Sequence, residues 1–187
     1  MKISYAITVC NEFEEIQKLV NFLLLNKREE DEIIILFDYN NGTTEVLDFL
    51  REKSVGEKII FYKERFSNHF ADWKNKLTEY CSGDYIFQID ADEIPHKLLM
   101  INLPIILENN PDHEVYLVPR VNTVEGLTES HIKKWGWQVN DKGWVNYPDY
   151  QYRIWKNKPE IKWKNKVHEV LEGHKNFTSL PSQEELS

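Results

Sequence analysis

The sequence lacks several features that define large classes of protein. It has two cysteines, too few for a disulfide framework, which favours a reducing compartment such as the cytoplasm. It has no apolar run long enough to cross a bilayer and no signal-peptide pattern at its N-terminus. Positive charge is also scarce, because 23 Lys and Arg face 31 Asp and Glu, a formal net charge of -8. We therefore expect a cytoplasmic protein that has no transmembrane segment and does not bind nucleic acid through a general basic field.

Glycine-rich phosphate loops are absent as well. With 7 glycines in 187 residues, the chain contains neither a G-x-x-x-x-G-K-[ST] nor a G-x-G-x-x-G segment, which excludes P-loop and dinucleotide-binding proteins of the usual kind. The length predicts a single domain. We divide it into an N-terminal half (1–95), a second half (96–177) and a flexible polar tail (178–187).

The N-terminal half alternates between strand-like and helix-like segments. Apolar runs at 3–9, 32–37, 58–62 and 85–89 are typical of buried strands. Between them, apolar residues recur at helical spacing over 12–26, after Thr43 or Thr44, and over 70–81. This alternation predicts an α/β fold with a mostly parallel central sheet and helices on both faces.

The second half is less regular. The pattern predicts a helix over 97–109, bent or broken near Pro104, and a strand over 115–121. A long irregular loop is expected over 122–150, followed by short strands near 151–155, 161–163 and 167–171. Long loops in compact domains are often functional, so we expect this β-rich side to bind a substrate.

Three carboxylates within four residues form the strongest chemical signal. The segment Asp90-Ala91-Asp92-Glu93 follows a buried strand, and ligands of open α/β sheets bind beyond the carboxyl ends of their strands. Mutual repulsion of these carboxylates is relieved by a cation or by bound protons, and Mg²⁺ or Mn²⁺ would take their oxygens while also binding phosphate. The pattern thus predicts a metal–diphosphate site, the alternative being a solvated acidic turn before the next helix.

Polar residues also follow the first two strands. Thr8, Cys10, Asn11 and Glu12 end the first strand, and Asp38 ends the second. Asn11 is also suited to capping the next helix and Asp38 to a turn. Because the ends of parallel strands share one sheet edge, we expect these groups to lie near Asp90.

These segments, taken in order, resemble the inverting family 2 glycosyltransferases, which have the GT-A fold. The similarity spans roughly residues 3–171. The matching segments are Ile7-Thr8-Val9-Cys10-Asn11-Glu12, Asp38, Phe70-Ala71-Asp72-Trp73-Lys74-Asn75, Gly83-Asp84-Tyr85-Ile86, Asp90-Ala91-Asp92-Glu93, Arg153-Ile154-Trp155 and Val167-His168-Glu169.

The resemblance implies a nucleotide-diphosphate sugar as donor, foremost a UDP-sugar, a glycan or other hydroxyl acceptor, and Mn²⁺ or Mg²⁺ as cofactor. It assigns the metal to Asp92 and His168, although His168 is also interpretable as a structural histidine paired with Glu169. The residues it assigns to the nucleotide sugar are Thr8, Cys10, Asn11, Glu12, Asp38, Lys74, Asn75, Asp90 and Ala91.

Inverting transfer also requires a carboxylate that takes the proton of the acceptor hydroxyl. The family draws this base from an acid between the DxD segment and the late histidine, and our candidate is Asp149. Competing acids are Glu93, Glu125, Glu129 and Asp141, and Asp149 is also suited to capping a turn. For the acceptor we expect Arg153 and an aromatic platform formed by Trp135 and Trp137, although packing beneath the loop would explain the tryptophans equally well.

Two other functions remain open at this point. A non-catalytic nucleotide-sugar or glycan-binding domain of the same fold would keep Asp90 and Asp92 without a base. A haloacid-dehalogenase-like phosphatase also has a DxD after a buried strand, but usually near the N-terminus. The chain is short for a complete glycosyltransferase of this type, so we expect either a minimal enzyme or a shortened chain.

Overall fold

The computed structural model describes residues 1–56 and 58–187, and within this part of the chain seven strands form the main sheet. Their order is β3-β2-β1-β4-β6-β5-β9. The strands are β1 (Ile3–Val9), β2 (Glu32–Asp38), β3 (Ile60–Glu64), β4 (Tyr85–Asp90), β5 (Val115–Arg120), β6 (Asp149–Lys156) and β9 (Phe177–Ser179). Strands β1 to β4 are parallel, whereas β6 is antiparallel to both β4 and β5. The predicted mostly parallel α/β sheet is thereby confirmed.

Helices cover both faces of this sheet. They are α1 (Phe13–Asn26), α2 (Thr44–Ser54), α3 (Phe70–Glu79), α4 (Lys97–Asn109) and α5 (Glu129–Trp135). A short hairpin of β7 (Lys162–Lys164) and β8 (Val170–Glu172) lies beside α3. Alternate residues of the central strands explain this arrangement: Tyr5 and Ile7 pack toward α1 and α4, whereas Ala6 packs toward α3 and Trp163.

The helix starts follow local capping chemistry. Thr43 caps α2 by accepting a hydrogen bond from the Val46 amide, and the Nδ1 atoms of His69 and His96 accept from the first turns of α3 and α4. The expectation that Asn11 caps α1 is wrong, since Glu12 stands at that position and makes no side-chain cap. Helix α4 continues through Pro104 instead of breaking there.

Two segments are more ordered than the sequence predicts. The loop 122–150 contains helix α5, which the short pattern around Ile132 does not reveal, and strand β6 begins at Asp149. The expected flexible tail also differs from the structure: β9 pairs with β5, Leu180 is buried, and the amide of His96 donates to the Ser187 carbonyl oxygen at 2.8 Å. Burial of Leu180 and Leu186 against the core supplies the apolar contacts that the polar composition of this segment hides.

Candidate functional site

Two clefts open at the carboxyl ends of β1, β2 and β4. The N-terminal cleft has a volume of about 520 Å³ and is lined by Thr8, Val9, Cys10, Asn11, Glu12, Asp38, Asn41, Phe66, Phe70, Trp73, Lys74, Asp90 and Glu169. The arginine cleft has a volume of about 420 Å³, and its polar lining residues include Asp90, Asp92, Glu93, Arg120, Asn122 and Arg153. Asp90 lines both clefts, because β4 ends between them. Most of the predicted site residues therefore meet at one sheet edge.

The turn after β1 forms one wall of the N-terminal cleft. A carboxylate oxygen of Glu12 accepts hydrogen bonds from the amides of Cys10 (2.8 Å) and Asn11 (3.0 Å). Glu12 therefore holds the shape of the turn. Burial, followed by the charges of Asp38 and Glu12, raises the pKa of the Cys10 thiol, so this thiol is neutral at pH 7.

Asp38 is held in place by the turn after β2. Its carboxylate accepts hydrogen bonds from the amide of Asn40 (3.0 Å), the side chain of Asn41 (2.7 Å) and the amide of Phe66 (3.3 Å). Burial acts to raise the pKa of Asp38, but these hydrogen bonds outweigh it and hold the pKa below its ordinary value. A side chain at Gly42 would collide with the Phe37 ring, so this turn requires glycine.

An aromatic wall in the N-terminal cleft escapes the sequence analysis. The Phe66 ring lies 4.9 Å from the Phe70 ring and 5.7 Å from the Trp73 ring, measured between centroids, and all three line the cleft. Phe70 is 45% exposed despite its apolar side chain. Exposed aromatic rings in a cleft provide flat surfaces for stacking. The only sequence signal for this wall is the cluster of aromatic residues around the start of α3.

Lys74 lies in the N-terminal cleft as predicted, but Asn75 does not. Both polar atoms of the Asn75 side chain bond the backbone of Trp163 in β7, Nδ2 donating to the carbonyl at 2.9 Å and Oδ1 accepting from the amide at 2.8 Å. Asn75 therefore fastens the β7–β8 hairpin to α3 and does not face the cleft. The prediction that Asn75 lies beside a nucleotide is therefore not supported. Its side-chain nitrogen and oxygen are both hydrogen-bonded to the backbone at the edge of β7.

Two arginines pair with carboxylates of the acidic segment. The Nη2 atom of Arg153 donates to Asp90 at 2.8 Å and to Glu93 at 2.5 Å, and Arg120 approaches Glu93 at 3.4 Å. The side chain of Arg153 is only 8% exposed. Arg153 is therefore mostly buried against the acidic segment and positions it. It also lines the arginine cleft, so its contact with an acceptor stays a prediction. Arg120, at the end of β5, was not singled out from the sequence at all.

The pKa values of the acidic segment diverge. Burial acts to raise the pKa of Asp90, but the charge of Arg153 outweighs it and holds that pKa below its ordinary value. For Glu93, burial dominates, and it raises the pKa despite the opposing charge of Arg153. Ala91 is buried between them, whereas Asp92 is exposed. Asp92 forms no hydrogen bond or ion pair with the rest of the described chain.

Asp149 lies beside the arginine cleft, in contact with its lining residues Arg120 and Asn122. Its Oδ2 atom accepts from Arg120 at 2.6 Å and 3.0 Å and from Asn122 at 3.0 Å. Among the residues that the structure describes, Oδ1 accepts only from Gln151, at 2.7 Å. Burial acts to raise the pKa of Asp149, but the hydrogen bonds from Asn122 and Arg120 outweigh it and lower the pKa. Because a carboxylate oxygen accepts two hydrogen bonds, Oδ1 keeps one free lone pair.

His168 is not placed with the acidic segment. It is exposed, lies in the left-handed region with a φ of 55°, and lines neither cleft. Its neighbour Glu169 lines the N-terminal cleft instead. The assignment of His168 as a metal ligand is therefore not supported. The turn between β7 and β8 exposes His168 to solvent, and it is the next residue, Glu169, that lines the cleft.

The residues present nevertheless fit a divalent cation in the mode that uses few protein ligands. Across residues 1–56 and 58–187, no three His, Cys, Asp or Glu side chains converge on one point. Mg²⁺ is commonly bound through one or two carboxylates together with substrate phosphates. Asp92 is an unpaired, exposed carboxylate beside Asp90, which supplies this donor set.

Two of the three tryptophans in the long loop, Trp135 and Trp137, form a partly exposed cluster. Trp135 is 48% exposed, and its ring lies 4.7 Å from that of Trp137 and 5.0 Å from that of His131. Neither tryptophan lines the two clefts. Because the Trp135 ring is exposed, packing beneath the loop does not explain the presence of a tryptophan at this position. By contrast, Trp155 and Trp163 are buried, as their alternating pattern predicts.

Comparison with known proteins connects this geometry to a family. The model of glycosyl transferase family 2 matches residues 4–171. The chain belongs to this family. The matched residues include the N-terminal cleft, the acidic segment and all of the arginine cleft except Ser187. Glycosyltransferase SunS of Bacillus subtilis (strain 168), described as derived from the SPbeta prophage, is 32% identical over 95 residues, covering 51% of this chain and 21% of SunS.

Solved structures confirm the GT-A fold of this family 2 chain. It is similar to S. aureus TarS 1–349 in complex with UDP-GlcNAc (TM-score 0.67, 13% identity), covering 98% of this chain and 57% of TarS. It is also similar to the mannosyltransferase PcManGT from Pyrobaculum calidifontis in complex with GDP-Man and Mn²⁺ (TM-score 0.51, 15% identity), over 63% and 35% of the two chains. The chain thus spans well under two thirds of these relatives. Helices of a length and apolarity that would cross a membrane do not occur among its described residues.

Proposed function

We propose that this family 2 protein transfers a sugar from a nucleotide-diphosphate donor, foremost a UDP-sugar, to a hydroxyl group. The observation that carries this proposal is the position of Asp90, which lines both clefts at the end of β4. A donor in the N-terminal cleft and an acceptor in the arginine cleft would meet at this residue. The two complexes of similar proteins with UDP-GlcNAc and GDP-Man support a donor of this class.

The N-terminal cleft suits the nucleotide. Phe66 and Phe70 offer rings against which a base stacks, and Asp38 is an ionised acceptor for a base or ribose hydrogen bond. Thr8, Asn11 and Asp90 add further polar contacts at the same edge. Lys74 supplies positive charge toward the diphosphate. Binding by stacking and by carboxylate acceptors distinguishes this cleft from the glycine-rich loops that the sequence lacks.

A divalent cation, Mn²⁺ or Mg²⁺, would be held by Asp92 and Asp90 with the donor's phosphates. When bound, it would neutralise charge that builds on the departing diphosphate. The two arginines cannot replace it fully, because Arg153 is already paired with Asp90 and Glu93 and Arg120 with Asp149. Presence of Mn²⁺ in the PcManGT complex supports this cofactor.

The reaction that this geometry favours is a single displacement with inversion. The acceptor oxygen forms a bond to the anomeric carbon while the bond from that carbon to the diphosphate oxygen breaks. The diphosphate leaves with the electron pair, and the acceptor proton passes to a carboxylate. Asp149 is the proposed base, since its Oδ1 keeps a free lone pair and Arg120 and Asn122 fix its orientation. Asn122 and Arg120 also line the arginine cleft.

An exposed aromatic cluster supports a glycan acceptor. Trp135 and Trp137 offer ring surface outside the two clefts, where the apolar faces of a second or third sugar unit would stack. Titration of the protein with oligosaccharides, followed by tryptophan fluorescence in wild type and Trp135→Ala, tests this role; an identical response in both would exclude it.

The proposal also includes the cellular compartment of the protein, namely the cytoplasm. Cys10 and Cys81 are both free thiols, and Cys81 is buried. This use of cysteine supports a reducing, cytoplasmic environment. Nucleotide sugars as donors are compatible with that placement. Fractionation of cells that express the chain would check it, and recovery in an oxidising compartment would contradict it.

Thermal stability in the presence of donors tests the proposed site. We expect UDP-sugars with Mn²⁺ to stabilise the protein by about 2.7 kcal/mol at a concentration of a hundred times the Kd. GDP- and dTDP-sugars measured alongside show the nucleotide preference. Stabilisation should be greater with Mn²⁺ than without it, because Asp92 alone does not bind the diphosphate.

The variant Asp92→Asn should lose the Mn²⁺-dependent part of this stabilisation. Asp112→Asn is the matched control, because Asp112 is another exposed acid and lies outside both clefts. Unchanged Mn²⁺ dependence in Asp92→Asn would reject the metal assignment. Absence of any response to the three donors would reject the donor class.

A further inference from the structure

The charge balance of the N-terminal cleft is unfavourable for an anionic ligand. Four carboxylates line it, those of Glu12, Asp38, Asp90 and Glu169, and Lys74 is the single cation among the described lining residues. Glu12 and Asp38 are held by hydrogen bonds within their own turns. Lys74 is therefore the residue on which the affinity for a diphosphate depends most, and the contacts of its ammonium group matter accordingly.

Lys74 and Glu169 form an ion pair inside this cleft. The Nζ atom of Lys74 lies 3.5 Å from a carboxylate oxygen of Glu169, and each side chain is 16% exposed. The same ammonium group lies 4.5 Å from the centroid of the Trp163 ring. The residues come from distant parts of the sequence, α3 and the turn between β7 and β8. At 3.5 Å the pair is at the long limit for a charged hydrogen bond, so the ammonium group is not tightly committed to Glu169.

The scaffold around the pair is rigid. Asn75, next to Lys74, fastens β7 to α3 through both of its hydrogen bonds to Trp163. A second link joins the same elements, since the amide of Phe70 donates to the Lys166 carbonyl oxygen at 3.2 Å. The Trp163 ring would therefore keep Lys74 in the cleft even without Glu169. The ion pair is not needed to hold the hairpin in place.

We propose that Glu169 is a positioning residue that acts as the resting counterion of Lys74 and gives up the ammonium group when a nucleoside diphosphate binds. The proposal rests on the proposed function, because it requires the diphosphate to enter the N-terminal cleft. Bound diphosphate would compete with Glu169 for Lys74 and would be repelled by its charge. Glu169 therefore weakens diphosphate binding, which favours release of the product nucleotide after transfer.

Affinities for UDP and for uridine separate this role from a structural one. In Glu169→Gln, we expect UDP to bind about 3- to 10-fold more tightly than to wild type, because one nearby negative charge is removed in a partly buried site. In Lys74→Met, UDP should bind at least about 10-fold more weakly, since the one cation of the cleft is lost. Uridine lacks the diphosphate, so its affinity should be unchanged in both variants.

The measurement is calorimetric titration of the full chain with UDP and uridine at two salt concentrations, with Mn²⁺ present. The gain in Glu169→Gln should shrink at high salt, because salt screens the charge of Glu169. Glu172→Gln is the matched control, because Glu172 is an exposed acid of the same hairpin that does not line the cleft. It should bind UDP as wild type does.

Two results would overturn the proposal alone: UDP affinity that is equal or weaker in Glu169→Gln, or an equal change for uridine and UDP. Either would show that Glu169 serves the folded structure or contacts the nucleotide in some other way. If wild type binds no UDP while its melting curve shows a folded protein, the proposed function fails together with this inference. These results differ, so the two failures are distinguishable.

Discussion

Replacing Asp149 with asparagine is expected to lower the rate of sugar transfer by about 10²- to 10⁴-fold, the usual contribution of a general base. Asparagine keeps the shape of the side chain and an acceptor oxygen for Arg120 and Asn122, but it cannot take a proton. Donor binding should stay unchanged, since Asp149 does not line the N-terminal cleft. The rate of product formation at saturating UDP-sugar, together with the donor Kd, is the measurement.

The control for this variant is Asp141→Asn, an exposed acid in the same long loop. It should transfer sugar at the wild-type rate. A rate in Asp149→Asn within a factor of about three of wild type, a difference of well under 1 kcal/mol in the barrier, would exclude Asp149 as the base.

The pH profile gives a second test of the same assignment. Hydrogen bonds from Asn122 and Arg120 outweigh burial and hold the pKa of Asp149 below its ordinary value. A base with a lowered pKa stays ionised as the pH falls, so kcat/KM should be flat from pH 8 to about pH 5 and decline only below about pH 4. A decline that begins above this range would indicate a base with a raised pKa, such as Glu93.

Replacing Arg153 with methionine is expected to lower the free energy of unfolding by about 2–3 kcal/mol at pH 7. Removal of one partner leaves a buried charge uncompensated, which commonly costs about 3–5 kcal/mol, and the 37% exposure of the Asp90 side chain reduces this figure. The uncompensated charge of Glu93 contributes more to this loss of stability than that of Asp90, because the Glu93 side chain is only 23% exposed. Urea denaturation measures the change.

The sign of the pH dependence follows from Asp90. Its folded-state pKa is held below the ordinary value, so the stability it contributes is present above the unfolded pKa and is lost as the pH falls through the folded pKa. The difference in the free energy of unfolding between wild type and Arg153→Met should therefore persist down to about pH 4 and narrow only below it. The double variant that carries both Arg153→Met and Glu93→Gln should recover part of the free energy of unfolding that Arg153→Met loses. The reason is that Glu93→Gln removes one of the two carboxylates left without a partner.

Arg51→Met is the control for this variant, since Arg51 is an exposed arginine in a surface pair with Asp48. Its free energy of unfolding should change by less than about 0.5 kcal/mol. An equally small change in Arg153→Met would show that Arg153 does not stabilise the acidic segment.

The first four strands and the helices among them could be predicted from the sequence, because each buries a continuous or periodic apolar face. β1 and β2 are buried on both sides, so every position from Tyr5 to Ile7 and from Ile33 to Phe37 is apolar or aromatic. The position of Asp90 between two clefts follows from the strand order and is consistent with the general rule for α/β sheets.

The arginine network could not be predicted in this way. Arg153 contacts Asp90 and Glu93 across 63 and 60 residues of sequence, and these contacts arise only because β6 inserts antiparallel beside β4. Periodicity indicates that β6 is a strand but not which strand it joins. For the same reason the sequence pattern indicates a cation or bound protons as the source of charge balance for the acidic segment and does not indicate the two arginines.

In two other places the motif indicates the right segment but one wrong side chain. Lys74 and Asn75 are both predicted to face the site, and only Lys74 lines the cleft. His168 is predicted there, and its neighbour Glu169 lines the cleft instead. Adjacent residues on a helix or in a tight turn point in different directions, and a motif identifies the segment more reliably than the side chain. The aromatic wall around Phe66 and Phe70 was missed because apolar residues in a sequence are assigned first to the core.

A crystal structure of the full chain grown with UDP and Mn²⁺ tests the central claim most directly, namely that the N-terminal cleft is the donor site. In this crystal structure we expect uracil beside Asp38 and the Phe66 ring, the diphosphate beside Lys74, and Mn²⁺ on Asp92 or Asp90. UDP bound in the arginine cleft, or elsewhere on the surface with the N-terminal cleft empty, would contradict it.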